Sequence, residues 1–96
     1  MPGHNFRMSN LLAGIGYVQM KKLKKMNDLR IEKANFYNKL LSESNLPLKT
    51  PFVASKAKHV YQMYTITVEN SIRNEFVYFL KEKGIGAGVH FTPPLH

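Results

Sequence analysis

Ser9 is the firmest structural instruction in the sequence. Its hydroxyl can accept a hydrogen bond from a first-turn amide. The residues after it, Leu11, Leu12, Ile15, Val18, Leu23 and Met26, keep the apolar spacing of one helix face. A chain that opens this way has to find cover for that face. At about 100° per residue, Lys21, Lys22, Lys24 and Lys25 fan over roughly 160° of the helix surface, with Leu23 pointing the opposite way. A lysine-rich outer face is ordinarily solvated, and it also attracts anions. Gly14 and Gly16 fall inside the pattern, and a glycine costs a helix about 1 kcal/mol relative to alanine. Either another backbone approaches closely there, or the helix begins only near Gly16.

His4, Asn5 and Arg7 come just before this N-terminus, where free amides and the helix dipole favour an anion. Asn5 can both donate and accept, and Arg7 carries a planar, always-charged fork suited to phosphate or carboxylate. The alternative is that the two residues brace the loop.

Further along, Asn27 and Asp28 have the chemistry of caps, so the pattern predicts a break from Met26 to Asp28 and a second helix to about Ser44. Its inner stripe is Leu29, Lys33, Tyr37, Leu40 and Leu41, which makes Tyr37 a core residue rather than a ligand residue. Asn45 to Lys58, with Pro47 and Pro51, reads as a surface connection with a small strand candidate at Phe52 and Val53. His59 to Val68 alternates as a strand, Val60, Tyr64, Ile66 and Val68 on one face and His59, Tyr61, Met63, Thr65 and Thr67 on the other. Ser71 is placed to cap a helix that buries Ile72, Phe76, Phe79 and Leu80 and stops at Gly84.

The following GIGAGVHF is not a dinucleotide fingerprint, because that motif needs a strand before it and a helix after it. It reads as a strand in which Ile85, Ala87, Val89 and Phe91 alternate toward a core. Gly86, Gly88 and His90 then line a face that something can approach closely. A lone histidine such as His90 is more often structural than functional. The four histidines, His4, His59, His90 and His96, lack metal-ligand spacing, so no metal is inferred. The expected class is α+β: a broken helical hairpin followed by strand, helix and strand, with the helices packed on a small sheet.

Composition sets the outer bounds. A chain of 96 residues is one domain at most, and 44% hydrophobic residues still permit a core. Without cysteine there is neither a disulfide framework nor a thiolate metal site. No stretch has the make-up of a signal peptide or a membrane span, so the cytoplasm is the default compartment. The formal net charge is +8 and lopsided: residues 1 to 49 hold nine basic and three acidic side chains, residues 50 to 96 five and three. That imbalance points to an anionic partner such as nucleic acid, a membrane surface, a nucleotide or phosphate. No nucleophile elbow and no carboxylate pair stands out.

Several of these residues together resemble a known family. Gly3-x-Asn5-x-Arg7-Met8-Ser9, followed by Leu12-Ala13, Gly16 and Gln19-Met20-Lys21-Lys22-Leu23, is similar to the DegT/StrS family of pyridoxal-phosphate-dependent sugar-nucleotide aminotransferases. Arg30 with Tyr37-Asn38-x-Leu40-Leu41 resembles the family's second helix. Leu80-Lys81-x-Lys83-Gly84-Ile85-Gly86-x-Gly88-Val89-His90-Phe91-x-Pro93 with Leu95-His96 resembles its late glycine-rich strand and loop. The three segments occur in order and span essentially the whole chain.

The resemblance implies that residues 1–96 are a single partial domain, the incomplete small C-terminal domain of a fold-type I aminotransferase. The large cofactor-binding domain and its pyridoxal-phosphate lysine would lie upstream. It further implies transfer of an amino group from an amino acid, usually glutamate, to a keto sugar nucleotide in amino-sugar or cell-surface polysaccharide synthesis, by a homodimer. Asn5 and Arg7 would contact the cofactor phosphate, reaching a neighbouring subunit, and His90, Phe91 and His96 would form a wall on the substrate side. With the lysine missing, the chain alone is expected to be inactive, as a split reading frame, a truncated gene product or an excised piece. The rival from another class is a free-standing basic module that binds nucleic acid through the Lys21 to Lys25 face. Glu32 and Glu43 in the second helical segment make it a poor recognition helix.

Overall fold

The computed structural model describes residue 3 and residues 6–89. From Ser9 the chain enters one helix, α1, over Asn10–Glu43. Ser9 is extended, and its Oγ accepts from the Leu12 N–H at 3.3 Å while its carbonyl takes the Ala13 N–H at 2.9 Å. The cap expected from the sequence is present, and the helix starts ahead of both glycines rather than at Gly16.

The expected break at Met26 to Asp28 is absent, and the broken hairpin is replaced by an unbroken rod of 34 residues. The side chains that suggested caps are engaged along the helix instead. Asn27 Oδ1 accepts from Arg30 Nη1 at 3.1 Å, and Asp28 pairs with Lys24 one turn back at 2.8 Å. With their oxygens taken, neither competes for the backbone amides whose capture would end a helix. The rod ends at Ser44, whose N–H reaches the Leu41 carbonyl at 3.4 Å, and Asn45 follows at φ 51°, in the left-handed region that asparagine tolerates.

Two short strands, β1 (Leu48–Lys49) and β2 (Thr67–Val68), pair antiparallel with Leu48 opposite Val68 and Lys49 opposite Thr67. The strand expected at Phe52 and Val53 is not formed, and Phe52 is 89% exposed. Of the long strand expected over His59 to Val68, only the last two residues pair. Tyr61, at φ 49°, turns out of the extended conformation and ends the run. The alternation survives beyond the turn, where Tyr64, Ile66 and Val68 are half-buried and Thr65 and Thr67 exposed.

The second helix, α2, covers Arg73–Glu82. Ser71 does not cap it: the Ser71 hydroxyl donates to Glu69 Oε2, and Ile72 occupies the cap position without a side-chain bond. Gly84 stops it as expected, at φ 75°, with its N–H on the Lys81 carbonyl and the Ile85 N–H on the Leu80 carbonyl, both at 2.9 Å. Residues 85–89 form no strand, so the expected third element of the sheet is not seen among the described residues. The order is therefore helix, strand, strand, helix: two helices and a two-stranded antiparallel sheet.

Among the described residues the helices do not stack on this sheet, contrary to the expected layering, and the one extended contact between elements is β1 with β2. An irregular segment over residues 50–66 lies instead along the C-terminal half of α1. The covered face there carries Asn27, Arg30, Ile31, Ala34, Asn38 and Leu41, one residue round from the expected stripe. Leu29, Tyr37 and Leu40 are consequently exposed, and among the described hydrophobic residues Ala34, at 3%, is the buried one. The radius of gyration is 18.6 Å, against about 12.5 Å for a compact chain of this length.

Candidate functional site

Arg7 lies outside any helix or strand, two residues before the Ser9 cap, and is exposed to solvent. The Asn10 and Leu11 amides precede the first helical hydrogen bond, so the start of α1 has the local chemistry for an anion. Asn5, His90, Phe91 and His96 lie outside the described residues. The structure thus describes one of the five site residues drawn from the sequence, Arg7.

The basic face of α1 borders a shallow hollow of about 420 Å³ lined by Lys21, Lys24, Lys25, Asp28, Leu29 and Glu32. Its charges are already partly answered. The Lys24 ammonium donates to Asp28 at 2.8 Å, Lys58 from the irregular segment stands 3.9 Å from the same carboxylate, and Lys21 sits 4.3 Å over the Tyr17 ring. The Lys24 hydrogen bond holds the Asp28 carboxyl below the usual carboxylate range and, in return, holds the Lys24 ammonium above its ordinary value. A face that mixes Asp28 and Glu32 with its lysines is a solvated helix surface, and it weighs against the nucleic-acid module. A second hollow, of about 400 Å³, runs beside the sheet and is lined by Leu46 to Lys49 and Thr67 to Glu69.

Sequence reasoning missed a run of four rings that ties the irregular segment to α1. Tyr37 and Tyr64 have ring centroids 5.3 Å apart, Tyr64 and Tyr61 6.1 Å, Tyr61 and His59 4.3 Å. The Tyr64 hydroxyl donates to Asn38 Oδ1 at 2.6 Å, and partial burial pushes the Tyr64 phenol above its ordinary range, with its tyrosine neighbours adding to the effect. An alternating strand would put Tyr61 and Tyr64 on opposite faces. The left-handed backbone at Tyr61 brings both rings to one side. The signal that was available is the crowding of four aromatic rings and one asparagine at Tyr37-Asn38 and His59 to Tyr64.

Among the described residues no three histidine or acidic side chains cluster as a metal site, and no helix is long and apolar enough to cross a membrane.

Comparison with known proteins places the chain. An uncharacterized protein of Methanocaldococcus jannaschii is 33% identical over 95 residues, which is 95% of this chain and 24% of that protein. The spore coat polysaccharide biosynthesis protein SpsC of Bacillus subtilis is 34% identical over 98 residues, covering 96% of this chain and 25% of its own length. A pleiotropic regulatory protein of Geobacillus stearothermophilus is 35% identical over 95 residues, 98% of this chain and 25% of that protein. The chain therefore spans about a quarter of the length of these relatives. No solved structure gives a significant match. The model of the DegT/DnrJ/EryC1/StrS aminotransferases matches residues 1–96, from end to end, and the chain belongs to that family.

Proposed function

We propose that this chain is the small-domain part of a pyridoxal-phosphate-dependent aminotransferase, one that moves an amino group from an amino acid such as glutamate to the keto group of a nucleotide-linked sugar. The match to the aminotransferase family along residues 1–96 carries this reading. The relative named for spore coat polysaccharide biosynthesis supports a sugar acceptor and a cell-surface polysaccharide as the destination.

The family depends on pyridoxal phosphate, which supplies the chemistry of nitrogen transfer when bound. The described residues do not form a pocket for it. Every lysine of the chain is exposed, and a lysine that reacts with a carbonyl must shed its proton, which burial or a neighbouring cation favours. Both hollows are open surface features rather than enclosures. In this reading the pocket is completed by protein beyond this segment, within a homodimer. This chain's share is Asn5 and Arg7 at the cofactor phosphate and His90, Phe91 and His96 on the substrate side.

Two experiments test the assignment. The 96-residue chain incubated with pyridoxal phosphate and borohydride is expected to give no adduct concentrated at one lysine and no transamination; an adduct at one lysine with turnover would place the whole reaction in this segment. In a polypeptide of the relatives' full length that carries this segment, Arg7→Ala is expected to weaken cofactor retention roughly ten- to hundredfold. That loss corresponds to a charged hydrogen bond of about 1.5 to 3 kcal/mol. Neutralising Lys21, Lys22, Lys24 and Lys25 together is expected to leave retention nearly unchanged, since exposed charges are screened over about 8 Å. The reverse outcome would move the anion site to the basic face of α1.

A further inference from the structure

Tyr61 is a bulky residue at φ 49°, a strained backbone conformation for such a side chain that persists only where its surroundings hold it. What holds it is local. The Tyr61 N–H donates to His59 Nδ1 at 2.9 Å, and the two rings lie 4.3 Å apart, tilted by 54°. The acceptor must be the bare nitrogen of a neutral imidazole with its hydrogen on Nε2. A protonated imidazole is a donor at both nitrogens and accepts at neither. The turn and the protonated ring are therefore mutually exclusive.

The geometry points to a proton-operated latch at His59. Protonation of Nδ1 removes the bond that keeps Tyr61 left-handed, Tyr61 relaxes toward extended backbone, and its ring leaves the run that continues through Tyr64 to Tyr37 on α1. The irregular segment then keeps its hold on α1 through the Tyr64 hydroxyl on Asn38 and the Tyr37 and Tyr64 rings. The charged and titratable groups around the latch are few. The Tyr61 ring lies tilted against the imidazole, Lys58 directly precedes His59 with its ammonium 3.9 Å from Asp28 of α1, and Tyr64 and Tyr37 follow along the run. Histidine is the side chain suited to switching charge near neutral pH, and the site is exposed, so protons reach it freely. The latch stands apart from the aminotransferase reading and does not depend on it.

The test is nuclear magnetic resonance on the full 96-residue chain between pH 8 and pH 5. A left-handed residue has its amide and α protons unusually close and gives a strong cross-peak between them. That peak at Tyr61 is expected to fall to the level of ordinary extended residues as the pH drops, with the same midpoint as the His59 ring protons. His59→Asn supplies a non-titrating oxygen that can accept from the amide two residues on, so it is expected to keep the strong peak throughout. His59→Phe is expected to lack it throughout. If the Tyr61 peak ignores the His59 titration, or if the same loss occurs in His59→Asn, the latch is overturned. The wild-type titration decides alone should either variant fail to fold.

Discussion

Tyr64 and Asp28 both ionise in step with the fold, and they act at opposite ends of the pH scale. The folded chain raises the Tyr64 phenol, so its contribution is complete below the unfolded value of about 10 and is lost as pH climbs through the higher folded value. Alkaline titration followed by tyrosine absorbance is expected to show one phenol ionising late, and Tyr64→Phe is expected to remove that late step. The same substitution deletes the hydroxyl bond to Asn38 and is expected to lower stability by about 0.5 to 1.5 kcal/mol in urea unfolding. Asp28 runs the other way. Its carboxyl is lowered by Lys24, so the stability it lends is present above the unfolded value of about 3.9 and is lost as pH falls through the lower folded value. Circular dichroism on the way to pH 2 is expected to show a loss of helix that Asp28→Asn already shows in part at neutral pH. The 2.8 Å pair is exposed on both sides, so added salt is expected to mute the difference.

At the scale of elements, glycine substitutions at the two ends of the chain are expected to act with opposite sign. A Cβ at Gly14 or Gly16 would meet nothing within 4 Å, so alanine at either position is expected to raise α1 stability by about 1 kcal/mol in thermal unfolding of this chain. Gly84 sits at φ 75°, and alanine there is expected to destabilise the end of α2 despite equally open space, by about 1 kcal/mol or more. These end signals, Ser9 and Gly84, were legible because each is a short-range transaction between one residue and its own turn. The middle of α1 was misread for a related reason: whether Asn27 and Asp28 cap a helix depends on what else their oxygens can reach, and Arg30 and Lys24 lie within reach. The strand over His59 to Val68 failed at Tyr61, where alternation cannot register a single reversal of φ. Of the candidate site, the chemistry of Arg7 and the cap behind it were legible from residue type and order alone. The ring run was not legible, because it joins Tyr37 on α1 to Tyr64 far along the chain.

For the whole molecule the dominant fact is uncovered apolar surface. Leu11 is 76% exposed and Leu12 59%, and Ile15, Val18, Leu23 and Met26 continue the same uncovered face along α1. Contiguous apolar surface of this kind drives association, and the two-stranded sheet adds unpaired edges. The isolated chain is expected to self-associate or aggregate as its concentration rises. Sedimentation velocity checks this; a sharp, folded monomer over a wide concentration range would count against a surface built to be covered. The same rod has a mechanical consequence. Its covered stretch begins near Asn27, leaving Asn10 to Met26 to project as a cantilever of about 25 Å. A tilt of about 5° at the root swings the tip sideways by roughly 2 Å, several times the 0.5 Å or so within which a binding constellation must be held. Arg7 rides on that tip, so the aim of its guanidinium is set by whatever clamps the outer half of the lever.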